Sequence, residues 1–489
     1  MYATGVPIGI LIDKHGPRGF VLLGAVFLGL GYYPMHRAYD HGQGSTSVGL
    51  LCFFALLTGF GSCSAFFAAL KTAALNWPNH RGTATAFPLA AFGLSAFFFA
   101  NLSSFAFHEN TSEFLFLLSV GTFSMAFVSF LFIRVVPQAP AYSALPRREG
   151  RSQSSSSRLY RSKSSEDRVN WKFGSHEPGR STRDASEDRQ PPEIAAEECP
   201  SSSASPKSPK PHDEDETSSL MSKSSSWASR DVAAQTGKPN ADVNHPHNIT
   251  DVRGLALLRK VEFWQQWFLL GTLTGVGLMT INNIGNDAQA LWSHYDDSAS
   301  SGFIEKRQLM HVSIVSVSSF TGRLLSGVGS DIIVKVLHLS RYWCIVVSSS
   351  IFAIAQICAI RIENPHFLWA VSGLTGLAYG VLFGVYPTLV SEAFGVHGLS
   401  QNWGCMCLAA VVFGNLFNLI YGTIFDHHSI ILPTGARDCP QGLPCYRNAY
   451  VVTLIASLLG VVLSLWSIRT EHRRKRGGKA IDDGLDREA

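Results

Sequence analysis

Eleven long apolar runs constrain this chain more than any other feature of it. They cover approximately residues 1–12, 19–34, 48–74, 83–104, 113–134, 262–284, 309–332, 343–361, 367–390, 403–425 and 449–468. A helix that crosses a bilayer needs roughly 20 predominantly apolar residues, and only helices or closed barrels satisfy their backbone in lipid. The runs are continuous rather than alternating, which argues against barrel strands. Gly, Pro, Ser and Thr recur inside them, as in packed membrane helices. An all-α polytopic membrane protein is expected, with the lipid bilayer as its first partner. An apolar fraction of 46% would not require this by itself, but its distribution does.

Between the fifth and sixth runs lies a hydrophilic stretch, residues 138–253, rich in Ser, Arg, Asp, Glu and Pro. It holds too little apolar surface to offset the entropy of ordering and is expected to be a disordered linker. The expected organisation is an N-terminal helical bundle over 1–137, the linker over 138–253, a C-terminal six-helix bundle over 254–470 and a basic tail over 471–489.

The two helical parts repeat. Gly9-Ile10-Leu11-Ile12-Asp13 closes the first run and Gly327-Val328-Gly329-Ser330-Asp331 closes the seventh, 318 residues apart. His80-Arg81-Gly82 precedes the fourth and Val396-His397-Gly398 the tenth, 316 residues apart. Segments one to five therefore match segments seven to eleven, and the sixth has no match. The first run has only about 12 residues before Asp13, or roughly 18 Å of helix, short of a ~30 Å hydrocarbon core. Both points lead to the expectation of a further helix ahead of Met1.

Lys14, Arg18, Arg81, Lys335, Arg341 and the basic tail fall on one side, with the linker. That side is expected to be cytosolic. Asn110-Thr111-Ser112 then lies on the other side as a glycosylation sequence. The net charge of +4 is small and spread out and does not point to nucleic acid. The nine cysteines show no metal-binding spacing. Cys439 and Cys445 share one loop and could form a disulfide in an oxidising compartment. No phosphate loop, zinc spacing or nucleophile with a placed base is present, so no enzyme, metal or cofactor is expected.

The most specific motif is Gly9-x-Leu11-x-Asp13-Lys14-x-Gly16-x-Arg18. A carboxylate at a helix end can bond the amides at the next helix's start and pair with a base across a gap. Asp331, Lys335 and Arg341 echo it in part. The string resembles the signature loop of the major facilitator superfamily. Tyr2-Ala3-Thr4-Gly5-Val6-Pro7, Gly16-Pro17-Arg18, Thr280-Ile281-Asn282-Asn283-Ile284-Gly285-Asn286 and Ser391-Glu392-Ala393-Phe394-Gly395 are similar to its nodulin-like branch, including fungal monocarboxylate-transporter homologues. The resemblance spans both helical parts but not the linker. It implies twelve helices in two six-helix bundles, a central cavity and alternating access.

Within the bilayer, Arg323 lies eight residues from Asp331, or ~12 Å along a helix. It shares a helical face with Ser316, Ser319 and Gly327. A charge at that depth faces protein or water. Arg323 reads either as a cavity cation that holds an anionic group or as the structural partner of Asp331 or Glu392. Asn282, Asn283 and Asn286 read either as solute contacts or as bonds to neighbouring helices. Lys71 and His311 read as snorkelling interfacial residues, with a proton relay as the second reading of His311. Glu392 reads as a latch together with Gly9, Asp13, Lys14, Gly16, Arg18 and Asp331. No acidic residue falls at the midplane of the N-terminal half, so a coupling proton is not assigned to any group.

In the linker, Glu216-Thr217-Ser218-Ser219-Leu220-Met221 resembles an acidic dileucine-type sorting signal for adaptors that route cargo toward the vacuole. Glu216, Leu220 and Met221 carry the resemblance, and Arg161-Ser162-Lys163-Ser164-Ser165 offers kinase sites. The expected function is secondary transport of a small solute, an organic anion being favoured, in a vacuolar rather than a plasma membrane. The alternatives are a membrane sensor or scaffold that signals through the linker, and an inactive truncated form.

Overall fold

The computed structural model of the protein describes residues 2–136, apart from 43 and 107–109, and residues 251–488, apart from 297, 299 and 432–436. The helices are α1 (Gly5–His15), α2 (Arg18–Asp40), α3 (Val48–Asn76), α4 (Arg81–Ala106), α5 (Thr111–Phe132), the short α6 (Leu255–Leu258), α7 (Val261–Tyr295), α8 (Ser301–Lys335), α9 (Tyr342–Arg361), α10 (Trp369–Phe394), α11 (Leu399–His428) and α12 (Arg447–Glu488). Each apolar run has become one helix. Nine of the described helices are long and apolar enough to cross a membrane. The others include α1, with 11 residues, and α8, which carries Arg323 and Asp331 in its span.

Several helices outrun their apolar segments. α7 ends at Tyr295 rather than near 284, and α8 starts at Ser301 rather than near 309. Hydropathy detects only the apolar window. The helix continues while its backbone is bonded and one face stays packed, and Ala288, Ala290, Leu291 and Trp292 are buried in the added turns of α7. The expected tail likewise continues the backbone of α12 as far as Glu488.

The described residues form one compact unit in which both halves of the chain meet. In the N-terminal half α2 packs on α3 and α5, and in the C-terminal half α9 packs on α10 and α12. The halves join where α1 lies on α11 and where α4 lies on α8 and α10. Polar groups inside the C-terminal half are satisfied between helices. Tyr386 Oη donates to the Gln266 carbonyl at 2.6 Å, and Gln266 Nε2 donates to Tyr342 Oη at 2.9 Å. Such bonds fix helix register where the lipid supplies no partner. The outward faces remain apolar, with Leu30, Phe53 and Leu419 exposed.

Two expectations about the linker meet different outcomes. Its last residues are ordered against the C-terminal half: the Val252 amide donates to the Phe394 carbonyl at 3.0 Å and Asn402 Nδ2 donates to the Val252 carbonyl at 3.0 Å. Composition misses this because backbone pairing at 251–253 does not depend on apolar side chains. The rest of 138–250, including Glu216, Leu220, Met221 and the serine runs, lies outside the described residues. Asn110 caps α5, its Oδ1 accepting from the Ser112 amide at 3.2 Å.

Candidate functional site

Two carboxylates, one from each half, reach across to the opposite half at the end that carries Lys14, Arg81 and Lys335. Asp13, at the end of α1, accepts from the Gln401 amide in the first turn of α11 at 2.9 Å. Its other oxygen takes the Lys71 ammonium at 2.5 Å, and Lys71 also donates to the His397 carbonyl at 3.2 Å. Asp331, at the end of α8, accepts from the Gly82 and Thr83 amides that open α4, at 3.2 and 2.8 Å. It also accepts from the Thr83 hydroxyl at 2.8 Å and pairs with Arg341 at 2.9 Å. Free amides and the positive pole at a helix start favour a carboxylate, so each aspartate clamps a helix of the other half.

Close approach makes both clamps possible. A Cβ on Gly9 would stand 2.3 Å from the Ser400 carbonyl oxygen, and one on Gly327 would stand 2.2 Å from Ala86 Cβ. Gly16 ends α1 at φ +84°, where other residues are strained.

The partners differ from those expected near the motif. Asp13 caps α11 of the opposite half, not the next helix in sequence, and its base is Lys71. Lys14 is exposed, and Arg18 lies over the Phe130 ring at 5.0 Å. Lys71 is therefore no snorkelling residue: it is 6% exposed, inside an ion pair. The structural pairing weighed for Arg323 is also excluded, because Arg341 takes both carboxylates. Its Nε donates to Glu392 at 2.8 Å and its Nη1 pairs with Asp331.

Arg323 stands further inside. It is 3% exposed, and neither its Nε nor its Nη1 has a hydrogen-bond partner among the described residues. It makes no ion pair among them. The guanidinium lies between the Phe92 ring of α4 and the Tyr379 ring of α10, at 5.9 and 6.0 Å. A buried cation without an anion costs several kcal/mol on the scale of buried ion pairs (~3–5 kcal/mol when one partner is missing). A guanidinium offers a planar fork of donors that matches a carboxylate or similar anion.

Gly93 makes room for it. A Cβ at that position would stand 1.7 Å from Arg323 Nη1. Sequence reading missed Gly93, Phe92 and Tyr379, since nothing along the chain relates them to Arg323. Gly93→Ala should push the guanidinium out of its slot and lower solute affinity by about tenfold, while Ala at a helix position leaves expression unchanged. Binding titrations on purified protein check this.

The other candidates separate. Ser316 and Ser319 are 5% and 4% exposed on the Arg323 face of α8, and Ser316 Oγ donates back to the Val312 carbonyl at 2.9 Å. Asn283 bonds Asn418 of α11 at 2.9 Å, whereas Asn282 and Asn286 are exposed. His311 is not interfacial: it is 1% exposed, with Nδ1 at 2.9 Å from Ser372 Oγ. Cys439 and Cys445 are disulfide-bonded in the structure. Among the described residues no cluster of His, Cys, Asp and Glu is arranged to hold a metal.

Comparison with known proteins places this architecture. An uncharacterized membrane protein of Saccharomyces cerevisiae is 28% identical over 502 residues, covering 96% of this chain and 86% of its own. A probable transporter of Neurospora crassa, mch1, is 22% identical, covering 95% and 81%. Among solved structures, a bacterial homologue of the human lysosomal transporter Spinster superposes with a TM-score of 0.46 at 12% identity, covering 96% of this chain and 86% of that one. The sequence profile of the Major Facilitator Superfamily matches residues 1–394. With its spanning helices and two joined halves, the chain is a multi-pass integral membrane protein that belongs to the Major Facilitator Superfamily.

Proposed function

We propose that this protein is a secondary transporter, not an enzyme, that moves a small organic anion by alternating access around Arg323. The observation that carries the reading is the guanidinium of Arg323, buried where the halves meet and lacking any anion among the described residues. The solute's carboxylate or similar group would bind Nε and Nη1, with the Phe92 and Tyr379 rings flanking it. Asp13 and Asp331 would latch the basic, cytosolic end and release when the halves rock. Ser316, Ser319, Asn282 and Asn286 would line the route, and a coupling proton would drive it. The relatives named probable transporter support the transport reading, and the sorting-signal resemblance of Glu216, Leu220 and Met221 supports a vacuolar setting.

Uptake of a panel of small carboxylates and other organic anions into vesicles from expressing cells tests this. At least one anion should accumulate saturably above vesicles without the protein. If only neutral or cationic solutes move, Arg323 is not an anion receptor.

A further inference from the structure

A second buried charge stands apart from Arg323 and from the latches. Asp287 lies on α7 and is 1% exposed. Its Oδ1 accepts from Tyr421 Oη of α11 at 2.7 Å, and its Oδ2 accepts from Tyr450 Oη of α12. Asp287 falls just beyond the apolar run that marks α7 in the sequence. The added turns of α7 place it inside the C-terminal half instead. Among the described residues it pairs with no cation. The ionisable groups against it are all phenols, those of Tyr421, Tyr446 and Tyr450. The nearby bases face elsewhere: His294 Nδ1 contacts the Pro440 carbonyl, Arg307 lies over Trp292 and Arg447 is exposed.

An isolated carboxylate in such a place is costly, and phenol donors compensate it only in part. A proton removes the charge. The shell tolerates either state, because a phenol is both donor and acceptor. When Asp287 gains a proton, its new O–H can donate to one phenol oxygen whose own hydrogen turns away. Tyr450 has the Thr280 hydroxyl beside it as an alternative partner. No heavy atom needs to move.

We propose that Asp287, clamped by Tyr421 and Tyr450, is a proton-binding site reached from the end of the protein opposite the latches. Asp287 is eight residues from the end of α7, and Tyr450 lies in the first turn of α12. The site also grips α11, the helix held by Asp13 through Gln401 about 30 Å away. A proton at Asp287 therefore changes the anchoring of one end of a helix whose other end is latched. This inference gives the proposed transporter its proton site but does not depend on what Arg323 binds.

Infrared difference spectra of the full chain in lipid vesicles, taken while pH is stepped between alkaline and acid, test it. A protonated-carboxyl carbonyl band should appear toward acid pH in the wild type and be lost in Asp287→Asn. Tyr421→Phe should keep that band but move it to higher frequency, since a C=O that loses a donor stiffens. If Asp287→Asn does not fold, the Tyr421→Phe shift carries the test. A band untouched by both variants, or no band at any pH, overturns the proposal. Absence of anion uptake would leave the band in place, so the two readings fail separately.

Discussion

Arg323→Gln should abolish solute uptake and at the same time raise the protein's resistance to heat. Both effects follow from one observation. The guanidinium is almost wholly buried and two of its nitrogens have no partner among the described residues. Its desolvation is a standing cost to the folded state, and a neutral, shorter side chain removes the buried charge. A gain of ~1–3 kcal/mol is the scale for relieving a buried unsatisfied group. The same change removes the charge that would pair with the solute. Losing one side of a buried, hydrogen-bonded charge pair costs ~2–5 kcal/mol, or about 30-fold or more in apparent affinity.

Arg323→Lys should recover little, since a single ammonium cannot reproduce a planar fork held between two rings. Uptake assays paired with thermal unfolding in detergent read both quantities. A purely structural arginine would show the reverse pattern, with unfolding at a lower temperature. That outcome would remove Arg323 from the solute site.

The second large effect concerns the latches and should be unequal between them. Asp13→Ala should open the basic end more than Asp331→Ala. Lys71 loses its only carboxylate among the described residues and keeps the His397 carbonyl, so a cation is left buried. Arg341 keeps Glu392 when Asp331 is removed. Breaking a buried pair by removing one partner costs ~3–5 kcal/mol when nothing replaces it. That cost falls on the closed arrangement alone if the halves separate during transport. A shift of 1.4 kcal/mol is about tenfold in population, so Asp13→Ala should exceed that and Asp331→Ala should approach it.

Cys407 reports the change. It is 2% exposed and sits eight residues into α11, beneath the α1 seal. Labelling by a membrane-impermeant maleimide, followed by mass spectrometry of its peptide, should rise in the order wild type, Asp331→Ala, Asp13→Ala. Equal protection in all three would mean that the clamps hold a fixed junction rather than a gate.

Much of this was legible along the chain, and the boundary of legibility has a physical cause. The apolar runs could be read because burial in lipid is a demand on each stretch of sequence separately. The repeated Gly and Asp landmarks could be read because both halves carry the same local requirement for a close approach and a helix-end carboxylate. Gly93 is different, since its role appears only when α4 lies against Arg323. Asp287 is different too, because hydropathy ends α7 before it and the fold does not.

The membrane class, the succession of helices and the two aspartates at helix ends are all written locally in the chain. Those follow from backbone hydrogen bonding in lipid and from spacing along single helices. Helix packing sets which base each aspartate takes, why Arg341 rather than Arg323 neutralises Asp331 and Glu392, and that Arg323 and Asp287 are each left buried without an opposite charge among the described residues. Those outcomes depend on distances between residues on different helices, which helix packing sets and local sequence does not encode.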